Sequence, residues 1–244
     1  DGPGFTGFTL QGTPTGTAEI SGINANGVDG LTVEQVTLTG APNASRTINA
    51  PSASDLTVRD TIFEGSSGAQ FAVYAQGYDG GDFTFENNDI SDYPDTDGFA
   101  SVYVAAAKEG DQLDTATVSG NSLTRNDGGI EVFGDDNSTV TMKDNSLISN
   151  TSAVGGLGVQ DADGVTIKNN EIAQTDEDIN PDTTRNGSGI AVQNSSSVTI
   201  DSNDLRNNVI GVFGRNSDLT SSNITSNNTL ESNTTTTDID NGPQ

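Results

Sequence analysis

The sequence predicts an all-β protein, a right-handed, single-stranded parallel β-helix (a solenoid) of about eight coils. Three observations predict it. A short phrase of residues recurs about every two dozen positions, an asparagine holds a fixed place within that phrase, and an alternating strand follows each phrase before the next begins. Repetition at such a period is typical of solenoids, in which every coil stacks on its neighbours.

The phrase is clearest in residues 164–208, which contain it twice. A triplet at 165–167, and again at 198–200, is followed three residues later by Asn and five residues later by an aliphatic side chain. The last residue of each triplet serves as an anchor, and successive anchors are 24 to 33 residues apart. The anchors are Val33, Val58, Phe85, Val118, Met142, Ile167, Ile200 and Ile224.

Asparagine stands three residues after the last six anchors. These residues are Asn88, Asn121, Asn145, Asn170, Asn203 and Asn227. An Asn stacked on the Asn of the next coil can hydrogen-bond both that neighbour and the turn, and Asn tolerates a left-handed φ. We therefore predict an asparagine ladder along one edge of the rod. It begins only at Asn88, because Val36 and Thr61 hold the equivalent place in the earlier coils.

A second strand lies between successive phrases. It is recognised in residues 101–104, 129–132, 156–159, 189–192 and 209–212, and its alternation places aliphatic side chains on one face and residues such as Tyr103 on the other. Gly, Asn, Asp and Ser separate the strands, so each coil holds about three of them. Parallel stacking of the coils at ~4.8 Å joins the equivalent strands into sheets.

With its stacked aliphatic residues, asparagine ladder and coils of this length, the chain resembles the pectin-lyase-like β-helix superfamily over roughly residues 15–233. The resemblance implies the fold. It does not choose the function, since lyases, hydrolases, epimerases, phage tailspikes and adhesins share this scaffold.

The repeat divides the chain into three parts. Residues 1–30 are an irregular segment with a first coil, residues 31–233 are the β-helix, and residues 234–244 are a Thr-rich tail or linker. No amphipathic helix is evident in residues 1–30 to cap the start of the stack. Uncapped ends expose strand edges, so we expect neighbouring domains or subunits as partners there.

The composition limits the partners and the chemistry. The 244 residues include 35 Asp plus Glu and 9 Lys plus Arg, a formal net charge of −26. This charge disfavours nucleic acid and anionic membranes as partners, and no apolar stretch is long enough for a membrane span. Without Cys or His, the chain has no disulfide, thiolate–metal site or Ser-His-Asp triad.

The acidic, Lys-poor surface is typical of proteins from concentrated salt, which indicates an exported protein of a halophile at the cell surface or outside the cell. Eight N-glycosylation sequons agree with export and predict a glycoprotein, although a chain rich in Asn, Ser and Thr also forms sequons by chance. The sequons begin at Asn43, Asn137, Asn150, Asn186, Asn194, Asn223, Asn227 and Asn233.

Outward positions of the second strand, and of the turn after it, predict one long functional face. Aromatic rings beside amides and acids are what a sugar-binding groove needs, although the rings could also merely cover turns. The predicted substrate-binding residues are Tyr74, Tyr103, Phe133, Gln160, Gln193 and Phe213.

Two kinds of catalysis are compatible with this face. Glycoside hydrolysis needs two carboxylates flanking the bond, and Glu131, Asp135 and Asp161 lie on adjacent coils. Resemblance to the lyases implies instead an Arg base with Ca²⁺, for which Arg215, Arg125 or Arg206 is the candidate base and Asp135, Asp161 and Asp163 are candidate ligands. Whether the chain is an enzyme is left open.

Two longer coils insert acidic loops at the same place, where they would wall the face. Carboxylates in these loops have the oxygen ligands that Ca²⁺ prefers, although their spacing is not that of an EF-hand. They are Asp92, Asp95, Asp97, Asp176, Asp178 and Asp182.

The sequence therefore predicts an exported, salt-adapted β-helix that binds, and could process, polysaccharide or cell-surface glycan. The alternative is a structural or adhesive rod of a surface layer, filament or viral spike without catalysis. Ca²⁺ is the one cofactor that either view suggests.

Overall fold

The computed structural model describes residues 9–11, 19–20, 22–40, 45–66, 69–93, 100–106, 110–150, 156–173, 187–219 and 221–240. These residues contain 26 short strands and one short helix. In chain order they are β1 (Thr9–Gln11), β2 (Glu19–Ile20), β3 (Ile23–Asn24), β4 (Thr32–Glu34), β5 (Thr37–Thr39), β6 (Arg46–Asn49), β7 (Leu56–Arg59), β8 (Ile62–Glu64), β9 (Phe71–Gln76), β10 (Asp82–Glu86), β11 (Asp89–Ser91), β12 (Val102–Ala105), β13 (Thr115–Ser119), β14 (Ser122–Thr124), β15 (Ile130–Phe133), β16 (Thr139–Lys143), β17 (Ser146–Ile148), β18 (Leu157–Gln160), β19 (Gly164–Lys168), β20 (Glu171–Ala173), β21 (Ser188–Gln193), β22 (Val198–Asp201), β23 (Asp204–Arg206), β24 (Ile210–Arg215), α1 (Ser221–Asn227), β25 (Thr229–Glu231) and β26 (Thr235–Asp240).

Three parallel sheets wrap around a single core, and each coil contributes one strand to each sheet, except that the last coil has helix α1 in place of a first-sheet strand. The first sheet has eight strands, in the order β1-β4-β7-β10-β13-β16-β19-β22. The second has nine, β2-β5-β8-β11-β14-β17-β20-β23-β25, and the third has nine, β3-β6-β9-β12-β15-β18-β21-β24-β26. The predicted all-β parallel β-helix is confirmed.

The predicted anchors form one column inside the first sheet. Val33, Val58, Phe85, Val118, Met142, Ile167 and Ile200 are successive Cα partners, and all are buried. Leu10 pairs with Val33, so the Cα register of the first sheet starts one coil before the first predicted anchor. A column of aliphatic side chains lets every coil shield the apolar surface of the next, which is how a thin rod obtains a continuous core.

The asparagine ladder is present from Asn88 to Asn203, at the turn between the first and second sheets. Asn121 is representative. Its backbone N–H and its Nδ2 both donate to Asn145 Oδ1, over 3.0 and 2.9 Å, while Nδ2 also donates to Phe85 O over 2.9 Å. The residue with left-handed φ is the one before each ladder Asn, such as Asp144 at 56°, and not the ladder Asn itself. The turn therefore needs Asn for its hydrogen bonds and not for its φ.

The last predicted anchor and ladder residue are wrong. Ile224 lies in helix α1 and not in a strand, and Asn227 is exposed at the end of that helix. Asn228 holds the ladder position instead, where its Oδ1 accepts hydrogen bonds from Asn203 N and Asn203 Nδ2, both over 2.9 Å. Leu230, one residue late in the sequence phrase, pairs with Leu205, so the whole phrase is shifted by one residue in this coil.

A second asparagine ladder, which the sequence reasoning missed, follows the turn between the second and third sheets. Asn126 N donates to Asn150 Oδ1 over 3.0 Å, and Asn208 N donates to Asn233 Oδ1 over 2.9 Å. In the sequence, this ladder is indicated by an Asn eight residues after the anchor, as at Asn126, Asn150 and Asn208. Because Asn150 is buried, with 1% of its surface exposed, the sequon beginning there cannot carry a glycan in the folded chain.

The end of the stack also differs from the predicted division. Residues 235–240 form β26, which pairs with β24, so the third sheet continues into the segment that was predicted to be a tail. At the other end, β1 and β2 already belong to the first and second sheets. The β-helix thus extends beyond residues 31–233 in both directions.

Aromatic side chains fill the core around β10. Phe83 and Phe85 stack with centroids 6.1 Å apart, and Tyr78 is fully buried beside Phe83. The Tyr78 hydroxyl accepts a hydrogen bond from Leu56 N over 2.7 Å and donates one to Asp82 O over 2.6 Å. Burial raises the pKa of Tyr78 well above its ordinary value, so the hydroxyl stays neutral and keeps both bonds.

Replacing a central ladder residue tests how much the ladder contributes. In an Asn145→Ala variant, Asn121 N–H and Val118 O lose their partner inside the rod. Since unsatisfied buried polar groups are costly, we expect the free energy of unfolding to fall by about 3 kcal/mol in urea titrations. Thr141→Ala, on the half-exposed outer face of the first sheet, is the control and should change it by less than about 0.5 kcal/mol. Equal effects of the two substitutions would contradict this role.

Candidate functional site

The predicted face lies on the outside of the third sheet, where its residues form two columns in register. The first column runs through Tyr74, Tyr103, Glu131, Gly158, Ala191 and Phe213. The second runs through Gln76, Ala105, Phe133, Gln160, Gln193 and Arg215. Every predicted substrate-binding residue therefore lies in one of two adjacent columns.

The two columns are not equally accessible. Tyr74, Tyr103, Phe133, Gln160 and Gln193 are half-buried, and Arg215 is exposed. Glu131 and Phe213, by contrast, expose only 2% and 4% of their surface. Phe213 packs with Ala191 and Ile210 in a small apolar cluster separate from the main core. The expectation that Glu131 and Phe213 belong to an exposed face was wrong, because neighbouring groups cover both side chains.

The aromatic rings of the face stack on one another along the rod. The Tyr74 and Tyr103 centroids are 5.5 Å apart with their planes 17° apart, and Phe133 lies 5.5 Å beyond Tyr103. On the other side of Tyr74, Arg46 Cζ sits 3.6 Å from the ring centroid, a cation–π contact. Both faces of Tyr74 are thus occupied from within the protein.

This stack limits how the face can hold a sugar. The sequence predicts free ring faces that pack on the CH surfaces of a glycan. Tyr74 lies between Arg46 and Tyr103, and Tyr103 lies between Tyr74 and Phe133, so these two rings offer mainly their edges. Phe133 ends the row, since its partner in the next coil is Gln160 and not another ring.

Beside Phe133, the turn after the third sheet contains a groove of about 490 Å³. It brings together four residues that the sequence analysis had named, Phe133, Asp135, Gln160 and Asp161, from two successive coils. Its remaining lining residues are Ala106, Asp111, Gly134 and Asp136. The volume lies within the usual range for small-ligand sites.

Hydrogen bonds fix the polar walls of this groove. Asp135 Oδ1 accepts from Asn137 N over 2.7 Å and from Ser138 Oγ over 3.2 Å, which folds the Asp135 side chain against its own turn. Gln160 Nε2 donates to Asp161 Oδ2 over 2.9 Å. Gln160 and Asp161 therefore form a joined amide–carboxylate pair, which can accept from and donate to the hydroxyl groups of a ligand.

The catalytic residues predicted for hydrolysis separate into two environments. Asp135 and Asp161 line the same groove, and both are partly exposed. Glu131 is not part of the groove lining, although it lies on the same strand as Phe133. Hydrolysis by these three carboxylates stays a prediction, and the groove reduces the candidate pair to Asp135 and Asp161.

Two of the three candidate arginine bases are engaged in ion pairs on the second sheet. Arg125 binds Asp92 through two hydrogen bonds, of 2.8 and 2.7 Å, and Arg206 binds Asp204. The hydrogen bonds that Arg125 donates to Asp92 raise the pKa of Arg125, and those that Arg206 donates to Asp204 raise the pKa of Arg206. A base must give up its proton to act, so both pairings work against that role. Arg215, in the second column, takes part in neither of these two ion pairs.

The predicted calcium ligands are only partly within the described residues. Asp92 is described, and its carboxylate is occupied by Arg125, which lowers the Asp92 pKa through their hydrogen bond. Asp95, Asp97, Asp176, Asp178 and Asp182 lie outside the described residues. Both loops connect the second sheet to the third, as predicted from their shared place in the coil. Among the residues that the structure describes, no three or more acidic side chains are grouped so that they could hold a metal ion.

Sequence reasoning missed part of the groove. Asp136 is adjacent to a named residue and could have been included with it. Ala106 and Asp111 come from the preceding coil, where extra residues separate the strand of the third sheet from the next anchor, so spacing alone did not place them. The described part of the chain contains no helix long and apolar enough to cross a membrane.

Three parallel sheets, a buried asparagine ladder and a groove at one turn define the class of this protein as a parallel β-helix. The family model of the right handed beta helix region matches residues 21–177 and 102–243. Together these matches cover most of the chain, which therefore belongs to the right-handed β-helix family. Neither the curated proteins nor the solved structures include a match to it.

The aromatic stack leads to a prediction about Tyr103. Replacing Tyr103 with Ala removes ring contacts with both Tyr74 and Phe133, each worth about 0.5–1.5 kcal/mol, so the free energy of unfolding should fall by about 2 kcal/mol. Urea titration measures it, and Thr117→Ala on the first sheet is the control. An unchanged stability would show that the stack contributes nothing to folding and that the rings are available for another role.

Proposed function

We propose that the chain is an exported, salt-adapted β-helix that binds polysaccharide on the third-sheet face, with one saccharide unit in the groove at Phe133. The observation that carries the proposal is the convergence of a ring, an amide and four carboxylates from successive coils in one groove of ligand size. Fold alone supports only a polysaccharide-related or structural rod, so the proposal rests on this site.

The chemistry of the groove suits an uncharged, hydroxyl-rich ligand. Phe133 offers apolar surface at the end of the aromatic row, where a sugar ring can pack. Gln160 with Asp161, and Asp135 on the neighbouring turn, supply acceptors and a donor within the same groove. Gln193 continues the second column by one coil, so a polymer lying along the rod would meet a second amide.

Binding along a rod also agrees with the partial exposure of the two columns. The ring edges and the amides of Tyr74, Tyr103, Gln160 and Gln193 form a shallow surface and not a deep cleft. Shallow surfaces of this kind hold a polymer through many weak contacts. Processing of the polymer would need Asp135 and Asp161, which line the same groove, to act together.

Affinity measurements in molar salt test the proposal. We expect the chain to bind at least one neutral polysaccharide, and Phe133→Ala to weaken binding at least tenfold, equal to about 1.4 kcal/mol. Gln160→Ala should weaken it several-fold, since the amide loses its contacts to the ligand hydroxyls. Isothermal titration or affinity electrophoresis against a panel of neutral and uronate polymers provides the measurement.

Thr141→Ala, on the first sheet and away from the groove, is the matched control and should leave affinity unchanged. Circular dichroism confirms that each variant is folded. If folded wild-type chain binds no polymer, or if Thr141→Ala and Phe133→Ala reduce affinity equally, the groove is not the binding site.

A structural or adhesive rod is the second candidate, and the aromatic stack favours it. Rings that pack on each other and on Arg46 stiffen the rod without needing a ligand. The strands β25 and β26 also leave most of their side chains exposed at the end of the described stack. Under this proposal the third-sheet face is a packing surface, and glycan affinity is absent while the rod stays folded.

A further inference from the structure

The first sheet has one strand fewer than the other two sheets, and helix α1 occupies the missing place. Strands β25 and β26 continue the second and third sheets beyond β23 and β24, whereas the first sheet ends at β22. Between β24 and β25 the chain forms α1, which packs against β22 and buries Ile224 to 2% exposure.

The sequence of this segment nevertheless carries the strand phrase. Ile224 follows Ile200 by 24 residues, the same step that separates Val118 from Met142. Arg215 and Ile224 are nine residues apart, which equals the separation of Phe133 and Met142 in a coil that does form the strand. Chain length before Ile224 is therefore sufficient for a ninth strand.

The conflict arises after Ile224. The ladder residue is Asn228 and Leu230 pairs with Leu205, so this coil is 25 residues long when measured at these positions. In that register a strand would place Asn223 opposite Val198 and Thr225 opposite Ile200, at the two inward positions. Polar side chains would then enter the core and Ile224 would face outward, because a shift of one residue reverses the faces of a strand.

A helix resolves this conflict, because its side chains do not alternate. The Asn228 side chain contacts both the ladder and the helix. Its Oδ1 accepts from Asn203, its Nδ2 donates to Ile200 O over 3.0 Å, and the same Nδ2 donates to Ile224 O over 2.9 Å at the end of α1. One side chain thus completes the ladder and ties down the helix end.

The helix fills its place incompletely. A cavity of about 300 Å³ remains between α1 and the last strand of the first sheet, lined by Val198, Thr199, Ile200, Asp218, Leu219, Asn223, Ile224 and Asn227. Open space therefore remains at this edge of β22, beside Ile224 and Leu219.

We propose that Asn228 sets the register that keeps residues 221–227 helical, and that this helix acts as a cap which blocks addition of a strand to the β22 edge. The strand that the cap excludes has one of two sources, the same segment in the shifted register or a strand of a second copy of this chain. Exposed edges of parallel sheets are templates for such pairing, so a cap here keeps rods from joining at this edge.

Deleting Asn228 tests the register. The deletion makes this coil 24 residues long at every position, so Ile224 aligns with Ile200, Asn227 with Asn203 and Leu230 stays aligned with Leu205. We expect residues 221–227 to become the ninth strand, seen as a change of their ¹³Cα and ¹³Cβ shifts from helical to extended values and as slower amide exchange in residues 198–201. Asn227→Ser, which keeps both the chain length and the Asn228 hydrogen bonds, is the control and should stay helical.

A second variant should form the same ninth strand without a deletion. Asn223→Val with Thr225→Ile puts aliphatic residues at the two inward positions of the existing register and should also convert the segment. Helical shifts that persist in both variants, or loss of structure in both, would overturn the proposal. Conversion in either one supports the role of register.

Removing the cap tests the blocking role. In an Ile224→Asp variant the helix loses its buried contact, and sedimentation in molar salt should show a weight-average mass that rises with protein concentration, whereas wild type should not. Thr225→Asp, an exposed position on the same helix, is the matched control. Wild type and Ile224→Asp that sediment alike, at all concentrations, would show that the helix does not protect the edge.

Discussion

Hydrogen bonding between equivalent positions of successive coils is the constraint on which the structure depends. Every strand pair in the three sheets is parallel and in register, and from Asn88 onward Asn side chains join the buried turns of successive coils. Parallel strands in adjacent coils bury side chains only if the coils have compatible lengths at every turn. The coil therefore accepts extra residues only where loops leave the rod, between the second and third sheets or after the third.

Much of this fold could be predicted from the sequence, because a repeated coil repeats its side-chain chemistry. Val118, Met142 and Ile167 identified the inward column, and Asn121 identified the ladder. The prediction failed at Asn227 for a physical reason. A one-residue shift at the end of the stack moved the ladder to Asn228, and the chain used a helix to bury Ile224. The period of a sequence repeat gives the spacing of equivalent residues. It does not predict whether a segment forms a strand or a helix when one coil is a residue longer than the repeat.

The candidate site was less predictable than the fold. Alternation placed Tyr103, Phe133 and Gln160 on the correct side of the third sheet. It could not reveal that Glu131 and Phe213 are covered, or that Tyr74 is held between Arg46 and Tyr103, since these depend on neighbours in other coils and loops. A side chain that points away from the core is not thereby exposed. The groove at Phe133 is where outward direction and accessibility coincide, and it is the basis of the proposed glycan binding.

The vertical order of the ladder asparagines is the most direct test of this account. In a sample with labelled Asn side chains, NMR can detect scalar coupling across the hydrogen bond from Asn121 N–H to the side-chain carbonyl of Asn145, together with the equivalent coupling from Asn145 to Asn170. The account predicts an unbroken series of couplings from Asn88 to Asn203 and on to Asn228. A folded chain in which Asn121, Asn145 and Asn170 couple to other partners would contradict it.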